Sequence, residues 1–210
     1  MSSTSFSNTD TGSKPADPYK EASKDEPSTL QEKIETVTQF ISSCKFGMMT
    51  TRDASSDKLV SRCMAVAATE SGGIDLLFFT NTESHKTDEL QADPHVNIAF
   101  LDSSSSNGEW ASLAGIATIE TDRNLVKQHY SSSLKAWLGD LGDGTHDGSE
   151  NDPRIGIIRV KTGSVTYAVA RNLLGRVAGM ARGAVTGEVA APVKLREVTE
   201  GEVSQWRASH

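Results

Sequence analysis

The fold turns on the stretch 74-IDLLFFTNTESHKTDEL-90. Its first part is a dense apolar run that reads as a buried strand. The composition then changes abruptly to hydroxyls and amides, followed by His85, Lys86 and a helix-forming segment. A turn requires polar residues, but it does not require a hydroxyl cluster with a cation beside it. A helix start adds free backbone N–H groups and a favourable dipole, so Ser84, His85, Lys86 and those amides read as a seat for a small anion.

Working outward from this point, the pattern predicts strands at 46–51, 59–68, 95–101 and 109–121 beside the one at 74–80, with breaks at 52–58, 71–73 and 102–108. A short helix over 84–92 is closed by Asp93-Pro94. Before these strands, Leu30, Ile34, Val37 and Ile41 form one apolar stripe behind capping-box signals, which predicts a helix over 28–43. After them, Leu125, Val126, His129, Tyr130, Leu134, Trp137 and Leu138 keep helical spacing from Asp122 onward. Strands are predicted again at 154–162 and 164–170, and the glycine-rich 171–188 reads as helical or irregular. Many strands joined by tight turns, with a helix inserted, point to an antiparallel barrel or sandwich and not to a doubly wound parallel sheet.

The 210 residues suit one domain, expected over 28–200. Residues 1–27 are too polar to form a core and are expected to be a disordered tail, and 201–210 a second, short tail. The formal charge of -7, without basic runs, argues against nucleic acid and anionic membrane as partners. No apolar stretch is long enough to span a bilayer, so a soluble, cytoplasmic protein is expected. Two cysteines, Cys44 and Cys63, make neither a disulfide framework nor a zinc site, and the histidines have no metal spacing. The acidic segment 139–152 lacks the ligand order of a calcium loop and reads as a solvated connector.

Arg62 sits among apolar neighbours on the strand 59-LVSRCMAVAA-68. Its guanidinium either pairs with a carboxylate or, with Lys86 converging on it, binds a phosphate dianion. Cys63 is sent to the opposite face of the strand by alternation. Trp110 and Trp137 are either core residues or walls for a planar heterocycle.

In order along the chain, 61-SRCM-64, 78-FFTNTESHK-86, 93-DPHV-96 and 110-WASLAG-115 resemble the pyridoxamine 5'-phosphate oxidase-like flavin-binding split barrels, in the branch of general stress protein 26 and the fungal blue-light-inducible proteins. The resemblance covers roughly residues 30–190. It implies a mainly β (α+β) fold, a six-stranded antiparallel split β-barrel with peripheral helices, and a homodimer with FMN at the interface. By the same resemblance Arg62, Ser84, His85 and Lys86 hold the phosphate. Cys63, Met64, Ala65, Phe79 and Thr80 run beside the ring and ribityl chain, Trp110 and Ser112 lie near the ring, and Trp137 reaches in from the partner subunit.

The oxidase itself has Arg-Lys at His85-Lys86, a lysine at Ala67 and a glutamine near Trp110, and these departures count against the vitamin-forming reaction. An FMN-dependent oxidoreductase of unknown small-molecule substrate, with a stress- or light-related role, is the leading expectation. A non-catalytic flavin sensor or carrier is the alternative, and a different cofactor such as haem or deazaflavin is a third reading.

Overall fold

The computed structural model describes Tyr19, Ser23 and residues 28–102, 108–170 and 193–210. Apart from those first two residues, the tail expected over 1–27 lies outside the described residues, as does 171–188. In chain order the elements are α1 (Leu30–Cys44), β1 (Phe46–Arg52), β2 (Leu59–Glu70), β3 (Asp75–Asn81), α2 (His85–Ala92), β4 (His95–Leu101), β5 (Trp110–Glu120), α3 (Arg123–His129), α4 (Ser132–Leu138), β6 (Ile155–Ala170), β7 (Val193–Val198) and α5 (Glu200–Arg207).

Every strand pairing is antiparallel, in the order β3-β2-β1-β4-β5-β6-β7, and an additional β3–β6 pairing closes β1 to β6 into a six-stranded barrel. Closure removes the exposed edges that a six-stranded sheet would otherwise carry. β6 makes this possible through its length, since its first part pairs with β3 while its last part pairs with β7.

The apolar run on β3 is explained by burial on both sides. Leu76 and Phe78 join the barrel core with Met49, Ile98, Phe100, Leu113, Ile158 and Val160, and Leu77 faces an outer cluster with Val126, Leu134, Ile155 and Ile157. That outer cluster seats α3 and α4. At another end α1 presents Ile34, Val37, Phe40 and Ile41 to the barrel core, its start fixed by a capping box between Thr29 and Glu32. Gly47 is required inside the barrel, because a Cβ there would stand 2.8 Å from the Phe100 ring.

Several sequence expectations change. The strands predicted at 154–162 and 164–170 are one strand, and Gly163 is taken up as a bulge where the register against β5 shifts between Ala114 and Gly115. The single helix predicted from Asp122 breaks at Ser131, whose backbone is extended. The C-terminal segment is not a tail. Thr199 and Glu202 form a capping box, Val203 is fully buried, Trp206 Nε1 donates to Ser71 O at 3.1 Å, and Arg207 grips Asp75 at 2.7 and 2.9 Å. Asp75 is itself buried. Although burial alone would raise its pKa, the hydrogen bonds from Arg207, Ser71 and Thr162 hold it below the usual value.

Among the described residues nothing covers one outer face. Register across four strands aligns Cys63, Met48, Ala99 and Ser112 in one row. Phe46 and Leu101 flank that row at 56% and 66% exposure, and Met48 is 43% exposed. Among the described residues no helix is long and apolar enough to cross a membrane.

Candidate functional site

Arg62 on β2 points toward α2, where its carboxylate partner lies. Its Nη2 donates to Glu89 Oε1 at 3.0 Å, its Nη1 lies 2.9 Å from Glu89 Oε2, and Nη1 also donates to Thr51 Oγ1 at 2.7 Å. Thr51 in turn donates to Glu89 Oε2 at 2.5 Å. Glu89 is only 7% exposed, and a carboxylate so buried needs such partners.

Lys86, one helical turn before Glu89, is 8% exposed. Its Nζ donates to Thr80 Oγ1 at 2.6 Å and to Ser84 Oγ at 3.2 Å. Burial pushes its pKa below that of an ordinary lysine, the charge of Arg62 pushes the same way, and Glu89 opposes them. Arg62 and Lys86 therefore act on one region.

These bonds do not exhaust the donors. A guanidinium has five N–H groups and an ammonium three. Two bonds occupy Arg62 Nη1 and one occupies Nη2, so the Nε–H and the second Nη2–H keep no partner among the described residues, and neither does one N–H of Lys86. Ser84 does not cap its own helix. Its hydroxyl instead donates to Asn81 O at 2.8 Å, which leaves the first amides of α2 uncapped by it. Two cations against one carboxylate, with a free guanidinium edge and a helix start, form a donor set that fits a phosphate.

Next to this cluster lies a cavity of about 460 Å³. One wall is the sheet, with Phe46, Cys63, Met64, Ala65, Val66, Ala67 and Phe79; the other is the α3–α4 corner, with His129, Ser131, Ser133, Leu134 and Trp137. The two features adjoin along the chain twice. Arg62 belongs to the cluster and Cys63 to the cavity, while on the neighbouring strand Thr80 belongs to the cluster and Phe79 to the cavity.

Residues singled out in the sequence are thus divided. Arg62, Thr80, Ser84 and Lys86 come together in the cluster, and Cys63, Met64, Ala65, Phe79 and Trp137 come together around the cavity. His85 joins neither, since its side chain is fully exposed and lies 3.8 Å from Asp88. Trp110 and Ser112 sit on β5, away from the cavity wall; Ser112 accepts a hydrogen bond from Asn97 at 2.7 Å. Trp137, which the resemblance brings from a partner, lines the cavity of its own chain because Leu134 anchors α4 on the outer apolar cluster.

The sequence reading missed Glu89, Thr51 and His129. Glu89 was legible as a carboxylate three residues after Lys86, on the same helical face. Thr51 gave no signal, because only strand register brings it opposite Arg62's neighbourhood.

The acidic 139–152 loop, expected as a solvated connector, is bonded internally. Asp140, Asp143 and Asp147 accept from backbone N–H groups of Gly142, of Thr145 and His146, and of Ser149. The buried Arg154 gathers Asp152 at 2.7 Å, Gly139 O at 3.0 Å and His146 O at 3.2 Å. This knot fixes the end of α4, and with it the Trp137 wall.

Comparison with known proteins agrees with this architecture. A curated protein of Neurospora crassa, protein bli-3, is 57% identical over 211 residues, covering 100% of both chains. Among solved structures, general stress protein 26 of Bacillus anthracis has a TM-score of 0.52 at 24% identity, covering 63% of this chain and 91% of that one. A pyridoxamine 5'-phosphate oxidase-related, FMN binding protein of Nostoc punctiforme has a TM-score of 0.53 at 15% identity, covering 68% and 85%. Those two likenesses concern the fold. The sequence pattern of the pyridoxamine 5'-phosphate oxidase-like family extends over residues 32–190, and with the closed barrel that carries it, this makes the chain a member of that family.

Proposed function

We propose that the protein binds FMN and works as a flavin-dependent oxidoreductase on a small molecule. The observation that carries this reading is the junction of a two-cation cluster with a largely apolar cavity at Arg62–Cys63 and Phe79–Thr80. In this reading the free edge of Arg62 and the Lys86 ammonium, which Ser84 Oγ holds in place, bind the 5'-phosphate. Cys63, Met64, Ala65 and Phe79 support the ring, and Trp137 faces it across the cavity from α4. The fold shared with a protein named as FMN binding supports the choice of cofactor. Bound there, FMN would supply hydride or single-electron transfer. The chain's own contribution is to fix the phosphate, orient the ring and exclude water from one of its sides.

The assembly proposed is a homodimer through the outer face carrying Cys63, Met48, Ala99 and Ser112. Exposed Phe46 and Leu101 beside small residues make a flat apolar patch of the kind that marks an interface. Dimerisation across it would cover Trp110 and Ser112, which explains how they come near a ring they do not reach within one chain.

FMN titration with flavin fluorescence as readout tests the proposal. Wild-type protein is expected to retain FMN, and Arg62→Ala to weaken it roughly 10- to 100-fold, the value of one or two charge-assisted bonds. His85→Ala is expected to leave the affinity within about twofold, since its side chain points away from the cluster. Wild-type protein that does not retain FMN, or an Arg62→Ala variant that binds it equally well while folded, refutes the assignment.

A further inference from the structure

We propose that the α3–α4 wall of the cavity is a second ligand subsite, for an uncharged planar molecule whose oxygen is hydrogen-bonded by His129. This rests on the FMN reading, which gives the sheet wall to the flavin and leaves the helical wall for a second occupant.

Charge decides the class of ligand. Among the described residues no Lys, Arg, Asp or Glu lines the cavity, and its polar side-chain groups other than the Cys63 thiol and the Trp137 indole N–H are those of His129, Ser131 and Ser133. A phosphorylated or carboxylated occupant would lose its water without meeting a cation, which disfavours an anion there. The cations Arg62 and Lys86 are committed to the neighbouring cluster. Shape decides the rest, because Trp137 on the helical wall offers a flat apolar face to a planar ring.

His129 is set apart from the other histidines. His95 and His146 are held by aspartates at 2.7 and 2.5 Å, His85 lies near Asp88, and His210 stacks on Trp206. The His129 ring lines the cavity and has no hydrogen-bond partner among the described residues. The break between the helices produces this exposure of polar groups. The chain is extended at Ser131, so His129, Ser131 and Ser133 turn to the cavity while Tyr130 turns away and donates to Gly148 O at 2.8 Å. Ser131 and Ser133 hydroxyls are bonded to each other at 2.7 Å, whereas the imidazole keeps both ring nitrogens without a partner among the described residues. A neutral imidazole offers one donor and one acceptor, matching a carbonyl or a hydroxyl oxygen.

The test uses the full chain loaded with FMN and two probes, menadione as a neutral planar quinone and pyridoxal 5'-phosphate as a planar anion, with calorimetric titration as the readout. Menadione is expected to bind, at least tenfold more tightly than the phosphate ester. His129→Ala should weaken menadione about tenfold, and His129→Gln, which keeps a donor and an acceptor, should restore it to within about threefold of wild type. Failure of menadione to bind, tighter binding of pyridoxal 5'-phosphate, or equal affinity in His129→Ala overturns the subsite. FMN retention is measured in the same samples, so a chain that never binds FMN sinks the underlying reading, whereas a loaded chain indifferent to His129 sinks only this inference.

Discussion

At Arg62 the sequence posed a choice between an ion pair and an anion seat, and the geometry accommodates both. Glu89 and Thr51 engage the end of the guanidinium and leave its Nε–Nη2 edge open. Glu89 thereby becomes a positioning residue and lowers the cost of burying two cations together. Replacing it by Gln should destabilise the FMN-free protein by about 1–3 kcal/mol, read from urea unfolding, and added FMN should recover part of that loss because its phosphate replaces the missing anion. Lys86 supplies a second readout. Its pKa is lowered, so its charge is lost as pH rises sooner than that of an ordinary lysine. FMN affinity should fall on the alkaline side in step with that loss. Glu89→Gln should move the fall to lower pH, since Glu89 is the group that opposes the lowering. An alkaline limb that stays in place in Glu89→Gln would remove Lys86 from the phosphate seat.

The element that shapes the cavity is the 139–152 loop with α4. Arg154 ties Gly139 and His146 carbonyls to Asp152, and bonding to Arg154 holds the Asp152 carboxyl down at about 2. Because the folded pKa is depressed from the ordinary 3.8 of an aspartate, the associated stability is fully present above about pH 4 and is lost as pH falls toward 2. The size of the shift corresponds to roughly 2 kcal/mol. Asp152→Asn should flatten the acid limb of a thermal-melting profile over that window. It should also lower stability at pH 7 by about 3–5 kcal/mol, because it leaves the Arg154 guanidinium buried without its carboxylate. An unchanged acid limb in Asp152→Asn would show that the loop is held by other means. This element was half-legible: its aspartates were plain in the sequence, but turn residues that bond their own backbone look the same as solvated ones until the chain is folded.

For the whole molecule, the proposed homodimer rests on the uncovered face across β2, β1, β4 and β5. Met48 stands in the middle of its central row and is 43% exposed, so a charge placed there disturbs an interface without entering the core. Wild-type protein is expected to run as a dimer in light-scattering chromatography and Met48→Asp as a folded monomer. A monomeric wild type, or a Met48→Asp protein that remains dimeric, would remove this face from the assembly. The net charge of -7 does not oppose pairing here, because the row itself carries no charged residue.

Local chemistry was readable in the chain itself. Apolar alternation marked β1, β2, β4 and β5, the doubly buried run marked β3, and the hydroxyls and Lys86 after it marked the polar cluster at the start of α2, because each of these signals is carried by residues close in sequence. The C-terminal helix had its capping box in plain view at Thr199 and Glu202, but its polar composition hid that Val203 and Trp206 would find partners far away in the chain. Tertiary structure alone decided which carboxylate meets Arg62, which wall faces Cys63, and that Gly163 bulges where a break was expected. Those outcomes depend on strand register and barrel closure, which bring Arg62 to a carboxylate 27 residues away and leave no trace in any short window of sequence.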